Sequence, residues 1–282
     1  MKKRLIGLAA AVLLVAGCSA TGSENTETFT FDYPDADPAP VVLNMHTGTL
    51  NVQPVPGTAV NGTAVTNVSA WLPSQSIGEN GAQQVVQGQT RNEVIPNASN
   101  QWDVELGTGQ PLSLTVNGAA INGNLDLTGL QLRLLSITGT SGNYALEYDA
   151  PSPLDDGGRL RAQLVSGDIS ITGVFNSHIR ELNVVTTSGY QSYEFGGALV
   201  QDLHANLEST VGNVILRIPI GTPVRVNFSA ASGRVMERSP EFIVVEGNVY
   251  ETADYADSDQ PRLQIAVRTT AGDLRLVAVP PL

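Results

Sequence analysis

The stretch LVSGDISITG, Leu164 to Gly173, alternates apolar and polar residues, turns on Ser166-Gly167-Asp168 and then alternates again. Period-two alternation on both sides of a small-residue corner predicts two short strands joined by a tight bend. Asp168 is then either a carboxylate displayed for chemistry or simply the residue such a bend favours. The rest of the chain decides, because the pattern recurs. Runs of the same form begin at Leu135, Arg161, Leu182, His204, Arg225 and Leu263. Their corner glycines are Gly142, Gly167, Gly189, Gly212, Gly233 and Gly272, spaced 25, 22, 23, 21 and 39. INGNLDL adds Gly123, and HTGTLNV places Gly48 in a more divergent first copy. Where LVSGDISITG has Asp168, the other copies carry Asn143, Tyr190, Asn213, Arg234 and Asp273, a mixture that no shared acid-base chemistry tolerates. What persists is the glycine before it, which reaches positive φ without a Cβ clash. Asp168 reads as a turn residue.

A unit of about 20 to 25 residues that buries one face against its neighbours predicts an all-β, β-solenoid-like stack of short strands. Within one unit Leu160, Ala162, Leu164, Ile169 and Ile171 face inward while Arg161, Gln163 and Ser170 face outward. Leu203, Ala205, Leu207, Val214 and Leu216 repeat the inward set, as do Leu263, Ile265, Val267, Leu274 and Leu276. The long last interval, with FIVVEGNVYETADYADSDQPR, reads as an insertion between units.

The ends set the location. Lys2, Lys3 and Arg4 precede an apolar run from Leu5 to Ala16, too short for a bilayer span, which takes about 20 residues. Residues 1–18 therefore read as a signal peptide. VAGC resembles a bacterial lipobox, which makes Cys18, the single cysteine, the lipidation site. No disulfide can form within the chain. Residues 19–40, rich in Ser, Thr, Asp and Pro, read as a flexible tether, and 41–282 as the β-solenoid-like domain. Cleavage before Cys18 removes three basic residues and no acid, leaving 12 Lys+Arg against 27 Asp+Glu, a formal charge of −15. Such a surface repels nucleic-acid phosphate, so nucleic acid is excluded as a partner, and lipid on Cys18 must supply the membrane attachment.

LNMHTGTLNVQPVPGTAVNGTAVTNVSAWLP from Leu43, with Trp71 and Pro73, NQWDVEL with Trp102, LDLTGLQLRLLSITGTSGN and the later glycine corners together resemble the bacterial toast-rack, adhesin-like envelope lipoproteins, related to soluble domains of cell-wall stress-response membrane proteins. The resemblance spans about Val41 to Val279. It implies a cell-surface or periplasmic lipoprotein with no catalytic residues to carry over. The corners here, Thr-Ser-Gly-Asn or Ala-Ala-Ser-Gly-Arg, depart from the family's usual Gly-Ala-Gly-Asp.

Chemistry-bearing residues are sparse. His46, His178 and His204 lie in separate runs without zinc-ligand spacing, so no metal site is assigned. His46 and His204 read as strand residues and His178 as a loop residue. No Gly-x-Ser-x-Gly, Walker-type or dinucleotide fingerprint stands in a strand-to-helix context, and no cofactor is implied. Two acidic clusters remain. Asp155-Asp156 sits in a natural DDGG turn; Glu251, Asp254, Asp257 and Asp259, flanked by Tyr250 and Tyr255, form a loop in which calcium or a sugar is the alternative to plain solvation. The sequence thus predicts a lipid-anchored, extracytoplasmic, non-catalytic interaction or structural module of the bacterial envelope, whose partner is an envelope protein or wall glycan. The alternatives are a cell-envelope stress-signalling accessory and an envelope carbohydrate-active enzyme using the Tyr250–Asp259 loop.

Overall fold

A computed structural model describes residues 21–78, 81–88, 95–154, 157–256 and 259–281. Within these residues there are 22 strands, two 3₁₀ turns and no α-helix. The N-terminal region holds β1 (Asn25–Asp32), β2 (Ala39–Asn44), β3 (Thr47–Val55), β4 (Ala59–Thr66), β5 (Pro73–Ile77), β6 (Gln83–Gln87) and β7 (Asn100–Gly107). The middle holds β8 (Leu112–Asp126), β9 (Leu132–Ser141), β10 (Tyr144–Glu147), β11 (Gly158–Ser166), β12 (Ile169–Thr172), β13 (Ile179–Ser188), β14 (Gln191–Glu194), β15 (Leu203–Val211) and β16 (Val214–Pro219). The C-terminal region holds β17 (Val224–Ser232), β18 (Val235–Arg238), β19 (Phe242–Glu246), β20 (Val249–Thr252), β21 (Leu263–Ala271) and β22 (Leu274–Val279).

Each unit contributes one strand to each of two parallel ladders. The first runs β2, β8, β9, β11, β13, β15, β21, β17, and the second runs β3, β8, β10, β12, β14, β16, β22, β18. The long strand β8 serves both, its first half beside β2 and its second beside β3. The predicted inward sets lie together in one continuous core between the ladders. Leu160, Ala162, Leu164, Ile169 and Ile171 are each at most 3% exposed, while their outward neighbours face water. Burying five such side chains per unit, at about 1.5–3 kcal/mol for each large one, makes every unit depend on its two neighbours.

The corners lock the stack. Gly167 has φ 128°, and a Cβ there would lie 1.9 Å from the Gly142 carbonyl oxygen; Gly189 stands in the same relation to Gly167, and Gly212 to Gly189. Successive corners therefore touch backbone to backbone, with no room for a side chain. Continued downward, the column passes from Gly142 to Ile121, whose register partner is Gly48. Gly48 is thus a corner as expected, whereas Gly123 is not. It lies inside β8 beside Leu50 and Tyr144, because β8 bends at Ile121 without a glycine break.

One further expectation changes. Residues 19–40 are not a free tether throughout, since β1 pairs antiparallel with β4 over its whole length. Phe29 is 3% exposed, the Tyr33 hydroxyl donates to the Gly107 carbonyl at 3.0 Å, and the Phe29 ring lies over Gly62. The alternation Phe29, Phe31, Tyr33 is a strand period hidden by acidic composition. The last unit, moreover, is not last in space. A Cβ on Gly272 would meet the Gly212 oxygen and one on Gly233 the Gly272 oxygen, so β21–β22 sits between β15–β16 and β17–β18. The chain passes to the end of the stack, forms the antiparallel hairpin β19–β20 against β17, and returns to fill the gap.

Candidate functional site

Asp168 lies in the outer line of the corners. Its backbone N–H donates to Asn143 Oδ1 at 2.9 Å, and its own Oδ1 accepts the Tyr190 N–H at 2.8 Å. Asn143 N–H donates in turn to Asn122 Oδ1, Asp273 N–H to Asn213 Oδ1 and Arg234 N–H to Asp273 Oδ1. Each corner carboxylate or amide therefore holds the next unit's backbone. That explains why Asn and Asp interchange there, since both offer an acceptor oxygen. The Tyr190 ring instead projects into solvent, 56% exposed.

Beside this line the outer face of the second ladder forms two adjoining grooves of 580 and 530 Å³, which share Asn124, Ala145 and Ser170. The floor is built by register. Asn51 faces Asp103 and Asn124, Asn124 faces Ala145, Ala145 faces Ser170, and Asp126 faces Glu147. Asn124 Nδ2 donates to Asn51 Oδ1 at 3.0 Å and Asn51 Nδ2 to Asp103 Oδ1 at 2.7 Å, so the amides form a relay that fixes their orientation. Glu147 is exposed, and its carboxyl is raised from its ordinary value because the charge of Asp149, then slight desolvation and the charge of Asp126, disfavour its ionised form. Beneath the second groove Tyr144 is 2% exposed, and burial pushes its phenol up to about 12. The groove thus presents fixed amides and carboxylates at strand spacing, about 4.8 Å, with the Tyr190 ring at its rim. Sequence reasoning placed Ser170 outward, but it missed Asn51, Asp103, Asn124 and Glu147. Their one signal is a polar residue at an outward strand position, and their meeting depends on pairing between distant segments.

The other candidates are dispersed. His46 lies at the β2–β3 corner rather than within a strand. His178 is in a left-handed conformation with Nδ1 3.0 Å from the Leu154 carbonyl oxygen, and His204 lies on the outer face of β15. Glu251 is 7% exposed and paired with Arg225 Nε. The Tyr255 ring contacts the guanidiniums of Arg225 and Arg262, with centroid distances of 4.7 and 5.6 Å. Tyr250 and Tyr255 are buried rather than displayed as sugar platforms, and Asp254 and Asp259 point separately to solvent. Among the described residues no three His, Cys, Asp or Glu side chains converge as metal ligands. Cys18, Asp155, Asp156 and Asp257 lie outside the described residues.

Residues 20–149, covering β1 to β10, match the family model described as the N-terminal domain of toast_rack, DUF2154. Residues 20–149 are thus similar to the N-terminal toast-rack domain. No curated protein matches the chain. Among solved structures the chain is similar to a "putative cell adhesion protein" from Clostridium sporogenes, at 15% identity and TM-score 0.52, over 91% of this chain and 100% of that one. A "putative lipid binding protein" from Parabacteroides distasonis aligns at 12% identity and TM-score 0.41, over 89% of this chain and 97% of that one. At these identities the likeness to the first is one of fold.

Proposed function

We propose that this protein is a non-catalytic, adhesin-like binding module of the bacterial envelope, anchored by lipid on Cys18, and that its second-ladder groove takes an extended wall glycan. The observation that carries the reading is the relay Asp103, Asn51, Asn124 beside Ser170 and the exposed Tyr190 ring. It offers planar amides, carboxylates and one aromatic face along an open polar groove. Hydroxyl-rich ligands are held by such oriented donors and acceptors, with a ring face against the apolar side of the sugar. The name of the similar Clostridium structure, a cell adhesion protein, supports the same class of role. The engagement of Glu251 by Arg225 favours this groove over the Tyr250–Asp259 loop as the binding surface.

Calorimetric titration of soluble wall-glycan fragments should give saturable binding that Asn124→Ala and Tyr190→Ala each weaken about tenfold without altering the melting temperature. No saturable binding to any wall glycan would overturn the groove assignment. Incorporation of labelled palmitate in the bacterial host, abolished by Cys18→Ser, is the expected result for the anchor.

A further inference from the structure

Four strands among the described residues have a single ladder partner: β1 on β4, β5 on β6, β18 on β22 and β19 on β20. A free edge presents unpaired N–H and C=O groups, and proteins usually blunt it with charge or proline. β1 carries Glu27 and Asp32, β5 opens with Pro73, and β18 carries Glu237 and Arg238. β19 has neither charge nor proline at its centre, only a register shift against β20 between Val244 and Glu246. Ile243, Val244 and Val245 are consecutive and 49%, 52% and 52% exposed. It also terminates the first ladder, through β20 and β17, at the end away from β5 and β6.

We infer that β19 is a self-recognition edge, pairing antiparallel with β19 of a second copy about a two-fold axis through Val244. Counting along the strand, this register sets Val244 against itself and Ile243 against Val245 of the second copy, so the three exposed apolar residues cover one another. Glu246 then falls opposite Phe242 of the other copy. Arg238 Nη1 donates to the Phe242 carbonyl, and Glu246 has no ion pair among the described residues, so the register brings two symmetric Arg238–Glu246 contacts. This charge complementarity selects a copy of the same chain over an arbitrary strand. The pairing joins two first ladders into one sheet, and a two-fold contact closes on itself rather than growing into a fibre. It points the N-terminal ends in opposite directions. On the reading that Cys18 carries the anchor, upright copies would meet from facing membranes, although the dimer itself does not depend on that reading or on the groove.

The test uses the full chain with Cys18→Ser, so that an introduced thiol is the sole one. Directly opposed strand residues have Cα atoms about 4.5–5.5 Å apart, within the roughly 4.4–6.8 Å of a disulfide. Under mild oxidation Val244→Cys should therefore cross-link to a dimer, while Ile77→Cys, on β5 at the opposite end and 71% exposed, should not. Sedimentation should show a concentration-dependent dimer. Arg238→Glu should weaken it about tenfold, and the exchange Arg238→Glu with Glu246→Arg should restore it. A monomer at every concentration, cross-linking of the Ile77→Cys variant in place of the Val244→Cys variant, or a dimer indifferent to both charge variants would each overturn the assignment.

Discussion

The middle of the stack and its far end are made of the same unit but obey different rules. From β9 to β16 sequence order and spatial order coincide, each corner glycine rests on the previous one, and corner amides and carboxylates link the copies. At the far end β21–β22 slips beneath β17–β18, the hairpin β19–β20 takes the outermost place, and a half-buried ion pair, Arg225–Glu251, adds a polar tie to the corner ladder that continues through Asp273. The difference teaches that the unit specifies how to stack, while the connecting segment specifies with whom.

Substitution at the corners should separate the two regions most sharply. Gly189→Ala forces a Cβ to 2.0 Å from the Gly167 oxygen at φ 128°, so a loss of at least about 3 kcal/mol in denaturant unfolding is expected. Gly221, in the link to β17, has φ 87° but nothing within 4 Å of its Cβ position. Gly221→Ala should therefore cost only the strain, about 1 kcal/mol, and equal losses at the two sites would erase the distinction. Next, Glu251→Gln should cost about 1 to 2 kcal/mol, since it leaves Arg225 half-exposed without its carboxylate, and hydrogen exchange should rise in β19 and β20 more than in β11. Asp168→Ala should cost about 0.5 to 1 kcal/mol by removing the acceptor for the Tyr190 N–H, whereas Asp168→Asn, which keeps an oxygen, should be neutral.

The smallest effect concerns Glu147. Its carboxyl is raised in the folded state, so the folded chain prefers it protonated and loses stability as pH climbs from the ordinary glutamate range through the raised value. Glu147→Gln should accordingly raise the melting temperature slightly at pH 7 and leave it unchanged near pH 4. A gain that persisted at pH 4 would assign the effect to packing rather than to repulsion by Asp149 and Asp126.

Within the repeats the sequence is a good guide. Alternation identifies the buried face residue by residue, and Gly48 is recognisable as a corner despite its divergent surroundings. Legibility fails where local chemistry is ambiguous. Gly123 resembles a corner because Asn flanks it on both sides, but the bend falls two residues earlier at Ile121. Phe29 and Tyr33 are strand residues in an acidic setting, and only Gly62 of β4, unseen from their own segment, makes room for the Phe29 ring. The groove is harder still. Asn51 and Asn124 are separated by 73 residues and meet only through register, and the partner of Glu251 lies 26 residues away on β17. Polar residues on one outward face announce a surface, but which of them become neighbours is decided by the order of strands, and that order departs from the sequence at the end.

The displaced last unit also sets a timetable. β17 to β20 leave the ribosome before β21 and β22, yet β17 is covered by β21 in the finished stack, with Val226 and Phe228 opposite Ile265 and Val267. Until residues 263–279 emerge, the outermost segment has no neighbour on which to settle, while the earlier units can already close in order of synthesis. The C-terminal strands therefore act as a clasp. A chain cut short before Leu263 would keep its middle but lose its tip, and the stack closes only once β21 and β22 have been made.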